Sequence, residues 1–141
     1  MSIQIEDIIE LSHPARLIPV VADSKKEERA TSILLAAFSV VPIFAHDVLV
    51  EAGARVGKRS AIKCFTEVTF PIRDSDSKAR PDGLIVITQG TKAWTALVES
   101  KIGSSDLTTE QVETYLDIAK ANGIDAVITI SNQYASDPQH N

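Results

Sequence analysis

The chain has 141 residues, 44% apolar and 23% charged, with a net charge of −5, a composition ordinary for one compact globular domain. No apolar run is long enough to cross a bilayer, and the N-terminus lacks a basic region followed by an apolar stretch and a small-residue cleavage site, so neither a membrane span nor secretion is expected. One cysteine, Cys64, and three scattered histidines, His13, His46 and His140, leave no internal disulfide and no zinc-ligand spacing, as expected of a cytoplasmic protein.

Residues 1–23 read as an N-terminal extension, with a short amphipathic piece carrying Ile3, Ile5, Ile8 and Ile9. The apolar run Leu17 to Val21 follows, broken by Pro19, and predicts a short strand. From Ser24 the period changes: Ala30, Ile33, Leu34, Ala37, Phe38 and Val41 recur at three- and four-residue spacing, the mark of an amphipathic helix. Ser24 is its expected N-cap and Pro42 ends its pattern. A second helical piece is predicted from about Phe44 to Ala54, closed by Gly53 and Gly57.

Strand-like alternation runs from Ser60 to Phe70, with Ile62, Cys64, Thr66, Val68 and Phe70 set against Lys63, Phe65, Glu67 and Thr69. Gly83 to Thr88 is β-branched and apolar, and Lys92 to Ile102 is the third strand. Gln89-Gly90-Thr91 supplies a hairpin turn between the last two. Thr108 opens a helix through Ala121, with Val112, Tyr115, Leu116 and Ala119 on one face and Asn122-Gly123 as its stop. Ala126 to Ile130 is a short apolar run suited to a strand buried on both faces. Trp94, Phe65 and Phe38 are assigned to packing, and Ser131-Asn132 to a strand-end turn that can also reach a site. The polar tail 133–141 has no core of its own, as at the start of a further C-terminal region. The fold class expected is α/β: a mixed sheet with helices packed on it, in the order helix, three strands, helix, strand.

Charge is unevenly spread. Between Arg55 and Arg80 seven basic residues face three acidic ones, about +4 on a chain of −5, leaving about −9 elsewhere. Either a local basic patch or a solvated strand face accounts for it. The chemistry-bearing residues lie just beyond. A hairpin sets the start of one strand against the end of the next, so Asp82 and Glu99 become neighbours across the ladder. Alternation places Glu99 and Lys101 on one face, with Ser100 pointing away. Two carboxylates beside an ammonium make a credible site for a hard divalent cation and for charge stabilisation during phosphodiester hydrolysis. The same acid-x-Lys pattern also occurs at solvated, salt-bridged strand edges. Here Glu99 follows the apolar run Ala96-Leu97-Val98, which draws it deeper than an ordinary surface charge.

The strings Arg80-Pro81-Asp82-Gly83-Leu84-Ile85-Val86 and Ala96-Leu97-Val98-Glu99-Ser100-Lys101 resemble the PD-(D/E)xK nuclease superfamily in its E-x-K form. The resemblance spans about Ser24 to Ser131 and implies a restriction-endonuclease-like αβββαβ core over 24–132. It implies a Mg²⁺-dependent nuclease (Mn²⁺ substituting) with nucleic acid, chiefly DNA, as partner and homodimers among its forms. In that reading Asp82, Glu99 and Glu27 hold the metal and Lys101 positions the attacking water. Glu27 comes from the helix before the sheet, with Glu28 as the second choice; favourable charge at a helix N-terminus explains both equally well. Gln111-Val112-Glu113-Thr114-Tyr115 resembles the Q-x-x-x-Y motif of the exonuclease-like branch, implying that Gln111 and Tyr115 orient the substrate strand. Thr108-x-x-Gln111 is also a capping-box pattern, and Tyr115 also reads as core. Two other functions compete: a catalytically inactive module of the same fold that binds nucleic acid or assembles a larger protein, and an interaction domain in which Glu99 and Lys101 form only a salt bridge.

Overall fold

The computed structural model describes residues 5–17, 25–72, 78–101 and 108–131. The expected limits at 24 and 132, the Ser24 cap, Ile102, Asn132 and the tail lie outside them. A mixed five-stranded sheet carries helices on both faces. In chain order the elements are α1 (Ile5–Glu10), β1 (His13–Pro14), α2 (Lys26–Val40), α3 (Pro42–Glu51), β2 (Ala61–Thr66), β3 (Phe70–Pro71), β4 (Lys78–Ala79), β5 (Gly83–Gln89), β6 (Lys92–Lys101), α4 (Thr109–Asn122) and β7 (Ala126–Ser131). The sheet order is β1-β2-β5-β6-β7, and β3 pairs only with β4. The first three pairings are antiparallel, and β6 and β7 run parallel, joined by α4 as a crossover.

Period-2 alternation sorts the side chains of β5 and β6 into two cores. Leu84, Val86 and Leu97 face α1, α4 and the β3–β4 hairpin, where Ile8, Val68, Phe70, Tyr115, Ile118 and Ala119 are buried. Ile85, Ile87, Ala96 and Val98 face α2 and α3, with Leu35, Phe38, Ala45 and Leu49. Phe38 stacks on Phe44 with ring centroids 4.9 Å apart; Trp94 and Phe65 pack at the margins, one on each core. Cys64 is buried and free, and burial pushes its thiol up to about 11. Residues 5–17, ahead of the expected core, add Ile8 to one core and β1 to the sheet edge. Among the described residues no single helix is long and apolar enough to cross a membrane.

The structure corrects several expected faces. In α2 the buried residues are Thr31, Ser32, Leu35, Ala36 and Phe38, while Ile33 is 42% exposed. Counting apolar residues alone misplaces the stripe, because two hydroxyl residues lie on the inner face with their oxygens hydrogen-bonded. In α4 Leu116 is half-exposed and Ile118 takes its place. The run 126–130 forms an edge strand rather than one buried on both faces, with Thr129 and Ser131 exposed.

The long alternation expected from Ser60 to Phe70 breaks at Glu67, which has φ +56. That turn shifts the phase by one. Cys64 faces the α2–α3 core, whereas Val68 and Phe70 face the other. The β5–β6 hairpin forms as expected. Gln89 pairs with Lys92 around a two-residue turn, and Gly90 at φ +61 supplies its left-handed residue.

Candidate active site

The site lies where β5 begins and β6 ends. The ladder pairs Gly83 with Val98, so Asp82 falls beside Glu99 one step further on. The Asp82 backbone N–H donates to Glu99 Oε2 at 3.3 Å. In return, the Ser100 backbone N–H and hydroxyl both donate to Asp82 Oδ2, at 2.7 and 3.1 Å. Each carboxylate is therefore held by the neighbouring strand. Pro81, fully buried, fixes the chain just before Asp82.

Alternation places Glu99 with Leu97, on the α4 side, and Ser100 with Val98, on the α2 side. Ser100 does point away from Glu99, as expected, but its hydroxyl is not idle. While its proton goes to Asp82, its oxygen lies 2.5 Å from Thr31 Oγ1 as an acceptor, and the single Thr31 hydroxyl proton is shared between Ser100 Oγ and the Glu27 carbonyl 2.8 Å away. This chain of hydroxyls ties the first turn of α2 to the end of β6. Thr31 and Ser100 are the contributors that sequence reasoning missed. Their only signal was hydroxyl residues at positions where the surrounding pattern calls for apolar ones.

Glu99 is 5% exposed. Burial, and then the adjacent charge of Asp82, push its carboxyl up to about 7; the Asp82 N–H, a hydrogen bond from the Tyr115 hydroxyl and the charge of Lys101 oppose the rise. Asp82 is also raised, chiefly by burial and further by Glu27, with the two Ser100 hydrogen bonds and Lys101 opposing. Tyr115, buried in the α4 core, has its phenol raised by burial and by Glu99. Lys101 thus lies near enough to act on both carboxylates. Glu27 acts on Asp82 from α2, one turn before Thr31.

Gln111 sits elsewhere in α4. Its backbone N–H donates to Thr108 Oγ1 at 3.2 Å, and its amide oxygen accepts from the Thr108 N–H at 3.3 Å, closing the capping box. Glu28, the second choice for the helix acid, pairs with Lys25 at 3.5 Å and lines a cleft next to Asp82.

Asp82 and Glu99 are hard oxygen donors whose ionised forms are disfavoured by burial and by each other, and a dication relieves both penalties. Two carboxylates completed by water is a donor set that Mg²⁺ accepts, so these residues fit such an ion. Among the described residues no group of three or more His, Cys, Asp and Glu side chains is disposed to hold a metal; Glu27 stands beside the pair without closing a three-ligand cage. Among the described residues the basic segment is spread along the sheet. Arg55, Lys58 and Arg59 lie at the Ala61–Thr88 end of the sheet and Arg80 at the opposite, carboxylate end.

No family model matches the chain, and searches of curated proteins and of solved structures return no match either.

Proposed function

We propose that the protein is a Mg²⁺-dependent nuclease of the PD-(D/E)xK kind, with a restriction-endonuclease-like core, hydrolysing phosphodiester bonds in DNA in the cytoplasm. The observation that carries this reading is the mutual engagement of Asp82 and Glu99 across adjacent strands, both raised by burial, with Lys101 acting on the two of them. Asp82 and Glu99 would hold the ion, with Glu27 completing the negative shell. The ion, when bound, supplies Lewis-acid polarisation of the phosphate and charge neutralisation.

The chain's own groups do the rest. Ser100 fixes the Asp82 carboxylate, and Tyr115 fixes that of Glu99. The ammonium of Lys101 orients the attacking water and offsets charge developing on the phosphorane oxygens. Lys101→Ala is expected to lower cleavage by at least about 10²-fold, the scale of losing one such group. Its melting temperature and Mg²⁺ binding by calorimetry should stay near the parent's. Cleavage at the parent rate in that variant would sink the mechanism.

A second reading has an observation of its own. Asp82 Oδ2 already accepts two hydrogen bonds from Ser100, and Glu99 accepts from Asp82 and Tyr115. Carboxylates engaged in this way by their own fold also suit an inactive module of the same fold that binds nucleic acid. Cleavage of DNA by the parent in Mg²⁺ or Mn²⁺, abolished by Asp82→Asn, decides for the enzyme.

A further inference from the structure

A cleft of about 550 Å³ opens beside Asp82, between β1, the start of α2, the end of β2 and the segment before β5. Its volume is in the range of ligand-binding clefts. Its walls include His13, Arg16, Glu28, Glu67, Arg80 and Asp82, and only the last has a role in the chemistry above.

The wall is built rather than incidental. The Arg16 N–H donates to Ser32 Oγ at 2.8 Å, and Ser32 Oγ donates back to the Arg16 carbonyl at 3.0 Å. Ser32 is itself buried, so residue 16 is anchored on α2. His13 is fixed by pairing with Thr66. On the facing side, the Glu67 carboxylate lies between the His13 and Arg80 side chains, 3.0 Å from His13 Nε2 and 3.8 Å from Arg80 Nη2. Glu67 is also the one non-glycine among the described residues with positive φ, at +56. That left-handed turn sets Glu67 just past the end of β2, on the wall of the cleft.

The charges then have a consistent sense. Glu28 is neutralised by Lys25 at 3.5 Å, Asp82 belongs to the carboxylate pair, and Glu67 places an anion between His13 and Arg80. A phosphate offers those two groups the same acceptor oxygens, and Arg16 lies on the same cleft. We propose that the cleft takes the phosphodiester backbone of the nucleic-acid strand next to the scissile phosphate, with Arg16, Arg80 and His13 as its phosphate contacts and Glu67 as the counter-ion that phosphate displaces. This rests on the nuclease reading for its substrate class, but it is tested without cleavage.

The experiment is fluorescence anisotropy of a labelled single-stranded oligonucleotide in EDTA across a salt series. Arg16→Gln and Arg80→Gln should each weaken binding about five- to tenfold and reduce the salt slope by about one. Glu67→Gln, which keeps shape and removes the competing charge, should tighten binding several-fold. Arg16→Gln and Arg80→Gln binding like the parent, Glu67→Gln weakening binding, or no binding by the parent overturns the proposal. Charge-sensitive binding without cleavage in Mg²⁺ would leave the cleft standing and remove the hydrolase; cleavage indifferent to all three substitutions would do the reverse.

Discussion

At the scale of single residues, the site is decided by who donates to which carboxylate. Tyr115 was legible only as a family-like motif or as core, and it proves to be both buried and hydrogen-bonded to Glu99. That bond favours the ionised carboxylate, so its loss moves Glu99 further up. Tyr115→Phe is expected to shift the acidic limb of the pH–cleavage profile to higher pH, leaving the rate on the alkaline plateau little changed; an unmoved limb would deny the bond its role. Ser100 occupied the unassigned middle position of Glu99-x-Lys101. Alternation correctly set it on the other face, but periodicity cannot tell that a residue on the far face reaches around the strand end to Asp82. Gln111 shows the reverse. Two readings fitted the sequence, the substrate-facing one slightly preferred, and it is the capping geometry that is visible in the hydrogen bonds.

At the scale of elements, the order helix, strands, helix and strand followed from changes of hydrophobic period, and the turns followed from their glycines. The rotation of each helix did not follow. Thr31 and Ser32 on the inner face of α2 are polar by type and satisfied by position, a fact that only tertiary partners supply. The phase shift at Glu67 was equally hidden, since nothing in Phe65-Thr66-Glu67-Val68 announces a left-handed residue. Gly83 carries an element-scale consequence. A Cβ there would lie 2.2 Å from Leu35 Cδ1 and 3.2 Å from the Phe65 carbonyl oxygen. Gly83→Ala should therefore force α2 off β5, costing about 1–3 kcal/mol as overpacked cores do. Denaturant unfolding checks this, and because α2 bears Glu27, cleavage should fall with it. Stability equal to the parent's would show that Leu35 swings clear.

For the molecule as a whole, the buried carboxylates link metal, pH and stability. Glu99 is raised from 4.5 to about 7, so between those values the folded state holds a proton that the unfolded state has released. Its contribution is present below about 4.5 and is lost as pH rises through about 7. Without metal, the parent should lose thermal stability across that window relative to Glu99→Gln, which cannot titrate; parallel melting curves would contradict the shift. Mg²⁺ acts in the opposite sense, since it competes with that proton. At about 100 times Kd a ligand adds about 2.7 kcal/mol, several degrees of melting temperature in a chain of this size. At one fixed Mg²⁺ concentration the gain should be larger at pH 8 than at pH 6, because the competing proton weakens binding at the lower pH. An equal gain at both would remove Glu99 from the ligand set.

The hydrogen bonds that cross between Asp82 and the end of β6 have one more use. The Ser100 amide proton points at Asp82 Oδ2 and the Asp82 amide proton at Glu99 Oε2, so each carboxylate is paired with a different backbone amide. In a ¹⁵N-correlated NMR spectrum these two resonances become separate gauges of charge, one for each acid. The order in which the pair gives up its protons, and which acid first meets an added cation, can then be read from the unaltered protein.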